Sequence, residues 1–262
     1  MDDAAVRAAA QLLLSSWQGG TRIHALPQAI RPTSRGEGYA VQSALENLSG
    51  DTLQGWKIAA TSPAGQAHIG VDGPLAGRLL ASRVKPTGSV LGLARNHMRV
   101  AEPEFAFRMA RDLLPRTQPY TQEEVLAAAG TLHPALEVPD SRFEDFARVG
   151  AAQLIADNAC ANAFVLGTAA QTDWRRLDLS AHPVRAEVSG RYAREGKGAN
   201  VLGDPRVALT WLANELRELG MPLRTGQVIT TGTCMTPLEL AAGDWVRADF
   251  GALGTVEARF ED

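Results

Sequence analysis

Glu102 and Glu104 stand two residues apart in the run from Ala101 to Phe107, and a third acid, Glu137, interrupts the apolar stretch from Ala135 to Pro139. In an extended strand residues i and i+2 share a face, so both glutamates aim one way while Phe105 and Phe107 aim the other. The fold must therefore give one face of that strand an apolar core and the opposite face something that stabilises carboxylates. Two placements meet this demand. In one, Glu102 and Glu104 lie on the solvated face of an edge strand, which Pro103 tolerates, and Glu137 caps a turn. In the other, the three carboxylates converge, and ionised acids among apolar neighbours then need a cation or hydrogen-bond donors. An all-oxygen cluster of this kind suits a hard divalent ion, Mg²⁺ or Mn²⁺.

A chain of 262 residues with 45% hydrophobic and 21% charged residues buries a substantial core, as one large domain or a main domain with a smaller N-terminal part. We take residues 1–50 as an N-terminal helical region and 51–262 as the main domain. The formal charge of −3, with lysines and arginines scattered, argues against nucleic acid and leaves small molecules as partners. Cys160 and Cys234 are the only cysteines and form no Cys-x-x-Cys pair, so both are expected reduced, in a cytoplasmic setting. The acidic start and the lack of an apolar run near ~20 residues argue against secretion and membrane insertion.

Helical spacing predicts helices from about Ala4 to Trp17, from Gly38 to Asn47, and from Ala151 to Val165 with a stop at Gly167. Asp204 as N-cap, Pro205 in the first turn and Leu209, Leu212 and Leu216 behind them mark another helix. Strands are expected over Leu53 to Ala59, around Glu102, in a hairpin about Ser189-Gly190, and over Gln227–Thr231, Trp245–Phe250 and Thr255–Phe260. Helices early and in the middle, with strands concentrated late, favour α+β over a βαβ repeat.

Lys57, between Trp56 and Ile58, is either a strand lysine with its ammonium in water or a desolvated group with a lowered pKa suited to proton transfer. Thr231-Gly232-Thr233-Cys234 ends a strand with two hydroxyls and a flexible glycine able to grip a carboxylate, a weak signal by itself. Asp157 and Asn158 serve a site from mid-helix or bond along the helix surface. No dinucleotide fingerprint, phosphate-binding Gly-Lys-Ser/Thr loop or Gly-x-Ser-x-Gly elbow is present. The histidines are isolated, and only His97 and His133, each shortly ahead of a candidate acid, are kept as outer residues of a metal site.

Taken in order, Gly55–Ser62, Ile69–Pro74, Glu102-x-Glu104 and Pro134–Arg142 resemble the 2-keto-4-pentenoate hydratase family of the fumarylacetoacetate hydrolase superfamily, which includes the 4-oxalocrotonate decarboxylases. Asp157-Asn158, Val201–Pro205 with Trp211–Asn214, Gly226–Thr233, Gly243-Asp244, Phe250–Gly254 and Tyr39-x-x-Gln42 extend the likeness over nearly the whole chain. The resemblance implies a strongly curved, barrel-like β roll with a small helical N-terminal region. It also implies Mg²⁺ or Mn²⁺ on Glu102, Glu104 and Glu137, and a homo-oligomer, with a pathway enzyme as a further candidate partner. Such a metal would chelate the carboxylate and 2-oxo oxygens of a 2-oxo acid and stabilise its enolate. Lys57 is implied to move protons, with Asp72 near it, while Thr233 and Asn158 are implied to contact the substrate or a metal-bound water.

The expected activity is hydration of a 2-hydroxy-2,4-dienoate. Decarboxylation of 2-oxohex-3-enedioate is the alternative, since few residues separate the two. Gly232-Thr233-Cys234-Met235 stands where many hydratases carry Gly-Ser-Phe-Thr, and Ala59-Ala60 where Gly-Leu is usual, which leaves the substrate tail open. A C–C hydrolase of the superfamily typically uses a His-Glu pair, for which no obvious counterpart is present. A metal-free small-ligand binding protein would have no reason to keep three clustered acids that cost stability.

Overall fold

The computed structural model describes residues 1–262. It begins with helices α1 (Asp3–Gly19) and α2 (Arg35–Ser49), whose N-caps Asp2 and Ser34 accept from the backbone N–H groups of Ala5 and Glu37. Their apolar stripes, including Leu13, Trp17, Val41 and Leu45, pack with Leu80, Phe143 and Ala156, so the helices share a small core with the rest of the chain.

The chain continues through β1 (Leu53–Ala59), α3 (Pro63–Ile69), β2 (Leu75–Leu80), β3 (Val84–Pro86), β4 (Ser89–Gly92), β5 (Val100–Met109), α4 (Gln122–Ala128), β6 (Ala129–Val138), α5 (Ala151–Ala156) and β7 (Ala163–Leu166). It ends with β8 (Pro183–Val188), β9 (Tyr192–Lys197), α6 (Pro205–Glu218), β10 (Val228–Thr233), β11 (Leu238–Glu239), β12 (Trp245–Asp249) and β13 (Thr255–Glu261). A mixed sheet in the order β2-β1-β10-β5-β6-β7-β3, with β11 beside the start of β5, curls into a half-barrel. A second sheet runs β4-β13-β12-β8-β9. The class is α+β, and α6 carries Asp204 as N-cap and Pro205 in its first turn, as the sequence indicated.

Strand β5 lies in the interior of the larger sheet, between β10 and β6, which rules out the edge placement of its acids. Pro103 is tolerated because its carbonyl accepts from Cys234 on the β10 side, so its missing N–H faces a stretch where the β10 register shifts between Thr230 and Thr233. Cross-strand partners share a face, and Glu102 pairs with Glu137, Thr230 with Ala106, and Lys57 with Thr230. All three acids and the lysine therefore project from one face, beside a small apolar cluster of Leu79, Ala106, Ala135, Phe164 and Val228. Trp56, Ile58, Phe105 and Phe107 point to the opposite face, into the main core shared with α6 and the second sheet.

The continuous helix expected over Ala151 to Val165 does not form. Helix α5 ends at Ala156; Asn158, Ala159 and Cys160 take φ of 56°, 48° and 62°, and Phe164 and Val165 continue as strand β7 between β6 and β3. Periodicity is overridden by tertiary bonding: the buried polar groups at Asp157 and Asn158 pair with Arg142 and Arg78, and β6 and β3 both gain a strand partner. Asp157 and Asn158 thus lie at a helix end and not mid-helix.

Gly77 faces Lys57 in the β1–β2 register, and a Cβ there would meet the Asn158 carbonyl oxygen at 2.4 Å and Lys57 Cγ and Cδ at 3.0 Å. Gly77→Ala should therefore lower stability by about 1–3 kcal/mol in urea denaturation. An unchanged midpoint would mean that strand and turn separate without cost.

Candidate metal centre

One carboxylate oxygen from each of Glu102, Glu104 and Glu137 lies within 4.8 Å of the other two. An octahedral shell with bonds of about 2.1 Å spaces ligand oxygens roughly 3–4 Å apart, so a small contraction brings the three onto one ion. Glu104 is wholly buried, and its Oε2 accepts from the Thr230 hydroxyl at 2.5 Å and from the Gly232 N–H at 2.6 Å. Its Oε1 has no donor, and neither oxygen of buried Glu137 receives an aligned hydrogen bond. Lys57 Nζ approaches Glu137 Oε1 to 3.1 Å as an ion pair outside hydrogen-bonding angles. Buried carboxylate oxygens without donors are costly, and their convergence on one point fits a hard dication.

Burial raises the pKa of all three acids, and the Glu137 charge adds to the rise at Glu102 and Glu104 while Lys57 opposes it. Glu102, partly buried at the edge of the cluster, is pushed up to about 7. For Lys57 burial favours the neutral amine, but the charges of Glu137, Glu102 and Glu104 outweigh it and leave the pKa raised. This corrects the expectation of a lowered value, which rested on the apolar neighbours in sequence and not on the acids the fold brings across. The ammonium also donates to the Ala159 carbonyl at 3.0 Å.

The remaining candidates are placed less centrally. Thr233 sits opposite Glu104 in the register, half-buried, with its hydroxyl donating to the Met235 carbonyl at 2.8 Å. Asn158 spends both ends of its amide on the backbone of Arg78. Asp72 is exposed in the loop between α3 and β2, and no hydrogen bond or ion pair joins it to Lys57. His97 is exposed, while His133 is bonded at both ring nitrogens, to the Thr131 hydroxyl and the Gly167 carbonyl. Sequence reasoning missed Thr230 and the Gly232 N–H as the groups that aim Glu104. Gly232 has φ of +98°, and a Cβ would fall 2.0 Å from Thr61 Oγ1, so the position requires glycine. Alternation from Val228 would have put Thr230 on the acid face.

Residues 81–261 match the family described as fumarylacetoacetate (FAA) hydrolase C-terminal. The chain is 32% identical to a 2-keto-4-pentenoate hydratase of Burkholderia vietnamiensis, covering 100% of this chain and 99% of that protein. It is 34% identical to a 2-hydroxyhexa-2,4-dienoate hydratase of Comamonas testosteroni, covering 83% and 82%. Among solved structures, 4-oxalocrotonate decarboxylase from Pseudomonas putida G7, complexed with magnesium and adipate, superposes with a TM-score of 0.89 at 28% identity over 99% of this chain and 98% of that one.

Protons and a dication compete for the same oxygens. The raised carboxyl values mean that the metal-free fold binds protons more tightly than the unfolded chain, so its stability falls as pH rises from the ordinary value of 4.5 to about 7. The rise in thermal midpoint on adding Mg²⁺ should therefore grow across that window, as differential scanning fluorimetry at fixed ionic strength would show. A Mg²⁺ effect that is absent or independent of pH would remove the metal assignment.

Proposed function

The chain belongs to the fumarylacetoacetate hydrolase family, and on that premise we propose that it is a divalent-metal-dependent hydratase adding water to a 2-hydroxy-2,4-dienoate to give a 4-hydroxy-2-oxo acid. The observation that carries the reading is the set of buried, donorless oxygens on Glu104 and Glu137 beside a lysine ammonium. Mg²⁺ or Mn²⁺ held by Glu102, Glu104 and Glu137 would supply Lewis-acid stabilisation of enolate charge on a 2-oxo acid. The hydroxyl of Thr230 and the N–H of Gly232 fix Oε2 of Glu104 and leave its Oε1 aimed into the cluster.

Lys57 holds its proton in the field of the acids, donates one N–H to the Ala159 carbonyl and lies 3.1 Å from Glu137 Oε1, so the ammonium has a defined position. Its role is to deliver a proton to C5 of the dienol as the 2-hydroxyl gives its own up, leaving an α,β-unsaturated 2-oxo acid to which water adds, its hydroxyl at C4 and its proton at C3. Thr233, half-buried opposite Glu104, is assigned to the substrate carboxylate. Asp72, exposed and without a bond to Lys57, is given no step. The reading carries with it a cytoplasmic homo-oligomer working beside an enzyme of the same pathway, its catalytic residues within 51–262. Decarboxylation of 2-oxohex-3-enedioate is the second reading, favoured by the decarboxylase superposition.

Purified protein with Mg²⁺ or Mn²⁺, offered 2-hydroxypenta-2,4-dienoate and 2-oxohex-3-enedioate separately, should form 4-hydroxy-2-oxopentanoate from the first as its faster reaction. Faster CO₂ release from the second would transfer the assignment to the decarboxylase. Lys57→Met should lower kcat by about 10²–10⁴-fold, the range for a positioned acid–base group, without weakening Mg²⁺ binding. Near-normal turnover at saturating substrate would make the lysine structural.

A further inference from the structure

We infer that the left-handed turn Asn158–Cys160 is a positioning device for the Lys57 ammonium, held by Asn158 and by the buried Arg142–Asp157 pair, and that Asn158 acts through the lysine and not on the substrate. The inference rests on the proposed role of Lys57 in proton transfer. Three consecutive non-glycine residues with φ of 56°, 48° and 62° form a conformation that L-residues adopt only when their surroundings impose it. Its product is the Ala159 carbonyl, which accepts from Lys57 Nζ at 3.0 Å.

Two sets of contacts impose the turn. The side chain of Asn158 mimics a strand on the edge of β2: its Oδ1 accepts from the Arg78 N–H at 2.6 Å and its Nδ2 donates to the Arg78 carbonyl at 2.9 Å. Both bonds fall on the residue after Gly77, whose missing side chain lets the turn and the Lys57 stem meet. The wholly buried guanidinium of Arg142 spans the turn, donating to the Asp157 carbonyl at its entry and to the Ala161 carbonyl at its exit. Arg142 is itself fixed by the Asp157 carboxylate, which also accepts from the Ser141 hydroxyl at 2.7 Å. Both side-chain hydrogen bonds of Asn158 go to Arg78 and none to the acids, so on this inference a loss on its removal is transmitted through Ala159 to Lys57.

The chain has three lysines, and Lys85 and Lys197 are exposed, so a protected ammonium resonance in lysine-selectively ¹⁵N-labelled protein reports on Lys57 alone. Asn158→Leu, which loses both amide bonds and disfavours positive φ, should shift or abolish that resonance. Ala159→Gly, which keeps the carbonyl and tolerates positive φ, should preserve it. In the hydration assay Asn158→Leu should lower kcat about tenfold or more with KM within about twofold, yet cost less than about twofold further in a Lys57→Met background. If Asn158→Leu does not fold, Asn158→Gly, which permits the backbone but removes the bonds, takes its place in both measurements. An unchanged Lys57 resonance in the Asn158 variant, or kcat losses that multiply in the double variant, would overturn the inference. The resonance is read without substrate, so a protein that proves inactive on the dienoate fails the hydratase reading and leaves this test standing.

Discussion

Three carboxylates and one ammonium are drawn together on one face of a curled sheet, and the imbalance of charge among them governs the rest of the site. Lys57 offsets one of the acids, and two formal negative charges remain where burial already penalises any charge. The chain supplies few remedies. Thr230 and Gly232 satisfy one oxygen of Glu104, and Oε1 of Glu104 and both oxygens of Glu137 are left without hydrogen bonds. A dication would close that gap in charge and oxygen preference, and would make metal affinity, proton affinity and fold stability one linked equilibrium.

The architecture follows from the need to hold these charges rigidly. Strands β5 and β6, each ten residues long, run side by side through the middle of the larger sheet, which fixes Glu102 opposite Glu137 in register. Alternation then sends Phe105 and Phe107 to the opposite face, where they pack edge-on against Phe250 and Trp174. A single strand thus carries the site on one side and anchors the core on the other. A register slip by one residue would bury the acids in the core and expose the phenylalanines, so pairing and chemistry are specified together.

Much of this was legible in the sequence because it depends on local rules. The i, i+2 spacing of Glu102 and Glu104 gave their common face, and the Asp204-Pro205 start gave α6. The edge-strand alternative fell only when β5 proved to be flanked on both sides, a fact of long-range pairing that spacing does not encode. The turn at Asn158–Cys160 was hidden for the same reason. Leu154, Ile155, Ala159, Ala161 and Phe164 satisfy a helical period, and only the distant partners Arg142 and Arg78 reveal why the helix stops. The raised pKa of Lys57 was equally invisible: Trp56 and Ile58 argue for desolvation, while the opposing charges arrive from β5 and β6.

That reversal at Lys57 sets two effects of burial against each other. With the acids charged, their field outweighs desolvation and the ammonium keeps its proton. The Ala159 carbonyl acts in the same sense, since it stabilises the ammonium by a hydrogen bond, and it is held by a turn whose left-handed backbone costs roughly 1–2 kcal/mol per residue. A contact that retains the proton and is costly to build makes sense as orientation: the hydrogen bond to Ala159 and the ion pair with Glu137 hold the ammonium in one place on the acid face.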